Sequence, residues 1–288
     1  MKVIFVGVGA IGLPMATRIK LAGHAVLGVD VSEHSRLKAL EQGIEVVSRF
    51  ADAPPAEVVV VMVATPQQLV ELVNQAQDNV AGQRWIIMST VGPDAVREQG
   101  QRLRQAGAAV VDAPVTGGTA RAKTGELVIF ASGAEQDLEV VQPVLRAMGS
   151  VRKVGIHLGE GQGIKVINQH LCSIHIVAAA EALSLAQSLG LDRAAVLALV
   201  EKGAAGSWML SDRGPRMLEG TDVDVSSSIN IFVKDSGLVA DSAKACAADV
   251  PLLQVAHQRY LAAAEAGLGL RDDSRVIETW APDAVNTR

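Results

Sequence analysis

Short apolar runs alternate with amphipathic stretches over the first half of the chain. Four stretches have the spacing of helices: Pro14–Ala22, Pro66–Ala76, Pro93–Ala106 and Leu138–Ala147. Seven runs predict strands: Lys2–Val6, Ala25–Val29, Val58–Val63, Trp85–Met88, Ala109–Asp112, Leu127–Ala131 and Val151–Val154. Strands that alternate with helices predict an α/β, doubly wound sheet of Rossmann type, mostly parallel and covered on both faces.

One long apolar stretch, Gly159–Gly190, follows this alternation. It begins with closely spaced glycines and then contains neither Pro nor Gly until its end, which predicts a single long helix. Because it is apolar on most sides, we expect it to be buried. Its first turns carry Lys165, Asn168 and Gln169 on one face. Polar groups on a buried helix need partners, and we expect these to be a substrate and a cofactor held by the two halves of the chain.

The second half shows helical patterns and no convincing strand. The predicted helices are Asp192–Lys202, a broken stretch at 203–220, Ile229–Ala248, Leu252–Ala266 and Ser274–Trp280. We therefore divide the chain into a dinucleotide-binding domain, 1–160, and an all-helical domain, 161–288, in which 161–190 is the interdomain helix. Alanine-rich helices need more burial than one small domain provides, so we expect a homodimer or homotetramer.

Composition narrows the classes of partner. The 288 residues carry a net charge of −5, which argues against nucleic-acid binding. The longest apolar run, Val58–Ala64, is too short to cross a bilayer, and the first residues lack the pattern of a signal peptide, so we expect a cytoplasmic protein. Two distant cysteines and six scattered histidines do not suggest a metal site, and His170 and His175 are poorly spaced as ligands on one helix.

The turn GVGAIG after the first strand is the most informative short motif. Gly7, Gly9 and Gly12 have the G-x-G-x-x-G spacing, and Ala10 and Ile11 lie within the same turn. The strand before it and the helix after it are the context in which this motif binds the pyrophosphate of a dinucleotide. The alternative is a tight turn without a ligand.

An acid follows the second strand at the position that contacts the adenosine ribose. Asp30 would accept hydrogen bonds from both ribose hydroxyls and repel a 2′-phosphate, which favours NAD over NADP. Val31 is expected to contact the same part of the cofactor. Arg36 is nearby but falls in the next predicted helix, so it does not change this preference.

The carboxyl ends of the later strands supply the remaining candidates in this half. Val63 ends one predicted strand and Thr90 follows the next, and both residues are expected near the nicotinamide. The stretch after Asp112 contains Thr116, Gly117 and Gly118, whose hydroxyl and unobstructed N–H groups suit a carboxylate. An ordinary glycine-rich surface loop is the alternative.

Several motifs together resemble the β-hydroxyacid dehydrogenase family, the relatives of 3-hydroxyisobutyrate dehydrogenase and tartronate semialdehyde reductase. They are FVGVGAIGLPMA, DAPVTGGTARAKTGEL, GEGQGIKVIN and FVKD, in the family's order over essentially the whole chain. The stretches GSWMLSDRGPRML, INIFVKDSGLVADSA and GLRDDSRVIETW look most like the branch that acts on four-carbon sugar acids such as threonate.

The resemblance implies roles for individual residues. Lys165 matches the catalytic lysine, Asn168 an amide that holds the substrate, and Thr116 a substrate-binding hydroxyl that is usually Ser. Gly117 and Gly118 match the glycines beside it. Thr90, Phe232 and Lys234 match positions at the cofactor. Two residues depart from the pattern: Gln169 stands where a second substrate-binding Asn is usual, and Ser236 stands where Leu is common.

The chemistry implied is hydride transfer between NAD and a short hydroxy acid. A lysine in a dry cleft has its pKa lowered by desolvation and can exchange the proton of the alcohol. The alternatives within this class are a 3-hydroxyisobutyrate dehydrogenase and a reductase of the tartronate semialdehyde or glyoxylate type. Imine reduction is disfavoured because relatives with that activity lack the lysine. A non-catalytic dinucleotide-binding scaffold is the alternative of another class.

Several conspicuous residues have ordinary explanations. We expect Trp208 to be a core residue, and Arg213 and Arg216 to lie on a solvated helix face unless they meet a carboxylate. We expect Asp272 and Asp273 to end in solvent or to cap the last helix. Lys234 could simply pair with its neighbour Asp235.

Overall fold

The computed structural model describes residues 1–76, 79–220 and 222–280. The chain forms two compact units, Met1–Lys165 and Val166–Arg288. The first unit contains a sheet with helices on both faces, and the second is helical. The α/β fold of the first half and the helical fold of the second are therefore confirmed.

The described strands of the first unit belong to one sheet. They are β1 (Lys2–Val6), β2 (Ala25–Val29), β3 (Glu45–Val47), β4 (Val58–Val61), β5 (Arg84–Ile87), β6 (Ala109–Asp112), β7 (Val115–Thr116), β8 (Leu127–Ser132) and β9 (Gly149–Gly155). Their order is β3-β2-β1-β4-β5-β6-β8-β7, and β9 lies beside β8. Strand β8 runs antiparallel to β6 and β7, whereas the other pairs are parallel. The order changes direction at β1 and β4, which is where such sheets bind ligands.

Helices cover both faces of this sheet because every strand of its centre is apolar on both sides. They are α1 (Gly12–Leu21), α2 (Glu33–Glu41), α3 (Pro66–Ala76), α4 (Pro93–Gln105), α5 (Gly118–Thr124) and α6 (Glu135–Met148). Successive side chains of a strand point to opposite faces. Val3 and Phe5 therefore pack in the core with α1 and α6, whereas Ile4 and Val6 pack in the core with α3 and α4.

The second unit is built from five helices in its described part. They are α7 (Glu160–Ser188), which begins in the first unit, α8 (Arg193–Val200), α9 (Trp208–Leu218), α10 (Ile229–Ala245) and α11 (Pro251–Ala263). A short π-helical turn, Ala264–Leu268, and a 3-10 helix, Asp273–Trp280, follow. Asp192 caps α8 as expected, since its carboxylate accepts a hydrogen bond from the Ala194 N–H at 2.9 Å.

Helix α7 is buried along one side only. Ile176, Ala180 and Leu183 are fully or almost fully buried in the core of the second unit. By length and hydropathy alone α7 could span a membrane, but these residues pack in a protein core. Ile167 and Leu185, by contrast, are 62% and 58% exposed in the single chain. The single chain therefore covers only part of α7, and burial of this stripe by a partner stays a prediction.

Two arginine–aspartate pairs join α9 to the segment that begins the last 3-10 helix. The guanidinium of Arg213 donates to both oxygens of Asp273, at 2.7 and 2.9 Å, and Arg216 donates to Asp272. The two carboxylates are 0–1% exposed. The expectation that these acids end in solvent is wrong, because their partners lie far away in sequence. Asp272 does cap the turn, however, since it also accepts from the Ser274 N–H.

The pKa values of the two aspartates shift in opposite directions. Burial raises the pKa of Asp273, although its bonds to Arg213 act against the rise. For Asp272, burial works to raise the pKa, but hydrogen bonds from Ser274, Arg216 and Ser226 outweigh it and leave the pKa below its ordinary value. The two arginine–aspartate pairs together fasten the end of the described chain to α9.

The indole of Trp208 does not lie in the core. The residue is 51% exposed at the first turn of α9, which begins after the N-cap Ser207. The expectation of a core residue is wrong because the apolar face of this short helix is formed by its neighbours Met209, Leu210 and Met217. The two cysteines also differ: Cys172 is partly buried and Cys246 is exposed.

Candidate active site

The glycine-rich turn between β1 and α1 has the shape that its spacing predicts. Gly7 has φ +92°, and a Cβ built on it would lie 2.3 Å from the Met62 carbonyl oxygen. A Cβ on Gly12 would lie 1.8 Å from the Gly7 carbonyl oxygen. A Cβ on Gly9 would meet nothing within 4 Å. The outer glycines therefore allow close packing, and the middle one faces open space in which a pyrophosphate would fit against the backbone.

Ala10 and Ile11 lie within the same turn, and they differ in exposure. Ala10 is exposed, and Ile11 is partly buried against the core beneath α1. The Leu13 N–H donates to the Gly9 carbonyl at 3.0 Å, so the helix begins within the turn. The first-turn N–H groups of such a helix attract anions.

Asp30 lies at the carboxyl end of β2, as predicted. Its Oδ1 accepts from the Ser32 N–H at 2.8 Å, which fixes the carboxylate at the start of α2. Arg36 is indeed in α2, but its guanidinium turns back to donate to the carbonyls of Asp30 and Val31 at 3.0 and 2.8 Å. Val31 itself is 83% exposed.

The carboxyl ends of β4 and β5 lie side by side in the sheet. Val63 follows β4 and is partly buried against the core, and Thr90 follows β5 and is also partly buried. Both residues therefore lie at the edge where the sheet order predicts a ligand.

The structure reveals a buried carboxylate that the sequence analysis did not single out. Asp112, the last residue of β6, is 0% exposed. Its Oδ2 accepts from the N–H groups of Gly159 and Gln162, each at 3.0 Å, and from the Ser132 hydroxyl at 3.2 Å. Burial raises the pKa of Asp112 to about 6, even though these bonds act to lower it. The carboxylate thus holds the start of α7 against the sheet.

A glycine between these contacts makes the approach possible. A Cβ on Gly161 would lie 2.4 Å from the Phe130 carbonyl oxygen and 3.0 Å from Asp112 Oδ2. The Gly161 N–H donates to the Ser132 hydroxyl at 3.0 Å. Gly159 has φ +92°, whereas a Cβ on Gly163 would meet nothing within 4 Å. Two of the three glycines that open the long stretch are therefore required by the geometry.

Lys165 is on the first turns of α7, three residues after Gln162. It is only 7% exposed, which is rare for a lysine and means that its ammonium group is largely removed from water. Lys165, Asn168 and Gln169 lie on one continuous helix at i, i+3 and i+4, as the pattern predicted.

The stretch around Thr116 is more regular than an ordinary glycine-rich surface loop. Thr116 ends β7, and α5 begins at Gly118, with Gly117 at φ +132° and Gly118 at φ +67°. A Cβ on Gly117 would meet the Arg121 side chain at 2.9 Å, whereas one on Gly118 would meet nothing. The two glycines thus make the turn from strand to helix and leave open space at Gly118.

The second unit holds the two amides of α7 in a chain of polar contacts. The Asn168 Nδ2 donates to Gln169 Oε1 at 2.8 Å and to Cys172 Sγ at 3.3 Å. The Gln169 Nε2 donates to Asp235 Oδ2, and Lys234 Nζ lies 2.7 Å from Asp235 Oδ1. Lys234 therefore does pair with its neighbour Asp235, which the sequence analysis gave as an alternative to a cofactor contact.

Phe232 and Ser236 occupy the buried face of α10. Phe232 is 4% exposed and stacks on Tyr260, with the ring centroids 5.3 Å apart. Ser236 is 0% exposed; its hydroxyl donates to the Phe232 carbonyl and lies 2.7 Å from His257 Nδ1. The serine that departs from the family pattern is therefore satisfied inside the helical unit.

No group of three His, Cys, Asp or Glu side chains within 1–76, 79–220 and 222–280 is arranged to hold a metal ion.

Comparisons with known sequences agree along the whole described chain. The sequence model of the NAD binding domain of 6-phosphogluconate dehydrogenase matches residues 2–159. The model for the NAD-binding region of NADP-dependent 3-hydroxyisobutyrate dehydrogenase matches residues 159–280. An L-threonate dehydrogenase from Cupriavidus necator is 36% identical, with 96% of this chain and 94% of that protein covered. Mitochondrial 3-hydroxyisobutyrate dehydrogenase from Bos taurus is 30% identical, with 95% and 85% covered.

A solved structure is similar to this chain over almost its whole length. The crystal structure of 3-hydroxyisobutyrate dehydrogenase from Salmonella typhimurium superposes with a TM-score of 0.89 at 32% identity, with 97% of this chain and 99% of that chain covered. Together with the matched sequence models, this confirms the resemblance, the NAD(P) cofactor and the class of enzyme, a dehydrogenase of the CH–OH group of hydroxy acids. The chain belongs to the 3-hydroxyisobutyrate dehydrogenase family.

Proposed function

We propose that this protein oxidises a four-carbon sugar acid such as threonate, with NAD as the cofactor and Lys165 as the catalytic residue. The observation that carries the proposal is the burial of Lys165, 7% exposed, on the helical turn fixed by Asp112. The sugar-acid substrate is supported by the motifs of the second half and by relatives named L-threonate dehydrogenase at 33–36% identity. 3-Hydroxyisobutyrate is the second candidate, supported by the names of the bovine and Salmonella relatives.

The residues of the first unit fit a dinucleotide. Gly7, Gly9 and Gly12 shape the turn, and Ala10 and Ile11 present its backbone, while the open space at Gly9 receives the pyrophosphate. Asp30 binds the ribose hydroxyls and Val31 contacts the adenosine. The carboxylate of Asp30 repels the negatively charged 2′-phosphate of NADP, and for this reason we propose NAD. Val63, Thr90, Phe232 and Lys234 are proposed contacts at the cofactor.

Bound NAD supplies a carbon that accepts the hydride of the alcohol. The role left to Lys165 is the proton: its amine takes the proton of the substrate hydroxyl during oxidation and returns it during reduction. The ammonium form stabilises negative charge on the substrate oxygen, and it does so strongly because the residue is withdrawn from water.

The substrate is proposed to be held by hydroxyl, backbone and amide groups. Thr116, Gly117 and Gly118 bind its carboxylate through a hydroxyl and N–H groups, and the open space at Gly118 is consistent with this. Asn168 and Gln169 bind its hydroxyls. Because Gln169 already donates to Asp235, we infer that its main contribution is to orient the amide of Asn168.

The location of the protein, its oligomeric state and its partners are also part of the proposal. We propose a cytoplasmic homodimer or homotetramer that binds neither nucleic acid nor a membrane. The exposed apolar stripe of α7, which includes Ile167 and Leu171, supports burial by further copies of the chain. Elution of the purified protein as a monomer from a sizing column would contradict the oligomer.

The experiment that tests the function is a panel of hydroxy acids, with formation of NADH measured by absorbance. We expect the highest kcat/KM with L-threonate, a lower value with 3-hydroxyisobutyrate, and a lower value again with glycerate, the acid whose oxidation gives tartronate semialdehyde. A higher value for 3-hydroxyisobutyrate would move the assignment to the second candidate. Tight binding of NADH with no turnover of any acid would favour a dinucleotide-binding scaffold.

A further inference from the structure

The side chain of Gln162 links two segments of the first unit that are about seventy residues apart in sequence. Its Oε1 accepts hydrogen bonds from the N–H groups of Val91 and Gly92, each at 3.1 Å. Its Nε2 donates to the Ser89 carbonyl at 2.9 Å and to Asp112 Oδ1 at 3.2 Å. The residue is 0% exposed. An amide offers two donors and an oxygen with two lone pairs, so all of its capacity is used.

These contacts fix the loop that follows β5. The loop consists of Ser89, Thr90, Val91 and Gly92, and the backbone of every residue except Thr90 bonds to Gln162. Gly92 has φ +86° and ends the loop at the first turn of α4. The side chain of Gln162 therefore satisfies backbone groups of the loop that no neighbouring strand pairs with. Its bonds lie on both sides of Thr90 along the chain.

The backbone of Gln162 is held as firmly as its side chain. Its N–H donates to Asp112 Oδ2 at 3.0 Å, beside the Gly159 N–H, at the start of α7. Lys165 lies three residues further along α7, which is close to one helical turn. A single residue thus fixes both the loop that carries Thr90 and the turn that carries Lys165.

We infer that Gln162 is a positioning residue that keeps the Thr90 loop and the Lys165 turn in register for hydride transfer. The inference rests on the proposed function, in which Thr90 contacts the cofactor and Lys165 exchanges the proton. The need for such register is physical, because a displacement of about 1 Å between reacting groups can lower a rate about 100-fold. A side chain that served packing alone could be apolar, whereas burying a fully bonded amide is useful only where its bonds are needed.

The test compares Gln162→Met, which keeps the length and volume of the side chain and removes its hydrogen bonds, with Gln83→Leu. Gln83 is also a buried amide of the first unit, 8% exposed, and it accepts a bond from the Trp85 indole at 3.1 Å, away from the loop. We expect both variants to lower Tm. Only Gln162→Met should lower kcat/KM, by about 100-fold, and raise the Kd of NADH measured by fluorescence. If both variants had a lower Tm and both kept a kcat/KM near that of the wild type, the inference would be overturned.

A second measurement needs no variant. In the wild-type protein, addition of NADH should slow amide hydrogen exchange at Val91 and Gly92 and at Gly159 and Gln162 together. Slower exchange in the loop without any change at Gly159 and Gln162 would overturn the coupling. The exchange experiment also separates the two proposals: a protein inert towards every hydroxy acid refutes the proposed function, while joint protection by NADH still supports the role of Gln162.

Discussion

Gln169 and Asp235 are 66 positions apart, and the amide of the first donates a hydrogen bond to the carboxylate of the second. Both residues are buried, at 6% and 4% exposure. The oxygen of the same amide accepts from Asn168 at 2.8 Å, so the carboxylate of α10 fixes the orientation of two amides on α7.

Replacing the carboxylate tests this orientation. Asp235→Leu leaves the Gln169 N–H groups without that acceptor, and we expect KM for the hydroxy acid to rise about tenfold, equivalent to about 1.4 kcal/mol. Asp235→Asn keeps an oxygen that can accept the bond and should change KM much less. Since both variants lose the ion pair with Lys234, the difference between them isolates Gln169. Equal KM values for the two variants would count against the orienting role.

Lys165→Ala tests the proton transfer. We expect kcat to fall by a factor of about 10² to 10⁴, the usual contribution of a general acid or base, while the Kd of NADH stays close to wild type. The matched control is Lys153→Ala, which removes a lysine of the same unit that is 45% exposed and paired with Glu135. A kcat near wild type in Lys165→Ala would refute the assignment of this residue.

Asp30→Ala tests the cofactor preference. Without the carboxylate the 2′-phosphate is no longer repelled, so the ratio of kcat/KM for NAD to that for NADP should fall about tenfold or more. Arg36, whose guanidinium already lies at the carbonyls of Asp30 and Val31, would then be available near the phosphate. Glu139→Ala, an exposed acid on α6, should leave the ratio unchanged. A wild-type enzyme that prefers NADP would contradict the proposal directly.

Arg213→Leu tests the buried ionic cluster of the second unit. It leaves the carboxylate of Asp273 buried without its bidentate partner, and we expect the free energy of unfolding to fall by about 3–5 kcal/mol. The control is Arg271→Leu, which removes a pair with Asp222 whose side chains are 48% and 94% exposed and should cost below about 1 kcal/mol. Urea unfolding measures both. Similar decreases in the free energy of unfolding in the two variants would contradict a special role for burial of the Arg213–Asp273 pair.

The buried carboxylate of Asp112 predicts a specific dependence of stability on pH. Its pKa in the folded chain, about 6, lies above the ordinary value of 3.8, so the folded protein binds the proton more tightly than the unfolded chain. Its contribution to stability is therefore complete below pH 3.8 and is lost as the pH rises through about 6. The free energy of unfolding of the wild type relative to Asp112→Asn should thus decrease by about 2.4 kcal/mol between pH 4 and pH 7. An increase over that range would contradict the raised pKa.

Much of the first unit could be predicted because its signals are local. The β1 and β2 strands were predicted at their observed bounds, since a glycine or a turn ends each apolar run. Strand β7 and helix α5 were missed, because two residues of strand and seven of helix are too short to show a period. The antiparallel direction of β8 was also missed, since strand direction is set by connections that the pattern does not record.

The parts of the candidate site that escaped prediction depend on distant partners. Asp112 and Gln162 are 50 positions apart, and nothing in either local pattern says that they meet. The one usable signal was that polar residues at the carboxyl ends of parallel strands gather at one edge, and Asp112 ends β6. Asp273 was expected in solvent or as a helix cap for the same reason, because its partner Arg213 lies 60 positions earlier.

The stacking of Phe232 on Tyr260 has a practical consequence for spectroscopy. Tyr260 is the single tyrosine of the chain; it is fully buried, its phenol donates to the Ser173 carbonyl at 3.0 Å, and burial raises its pKa well above 10. Its near-ultraviolet signal therefore reports on the helical unit alone. Trp85, buried in the sheet beside Phe50, reports on the other. Trp208 and Trp280 belong to the helical unit, so replacing both with Phe leaves Trp85 as the tryptophan signal of the sheet, and the melting of each unit can then be followed without attaching a label.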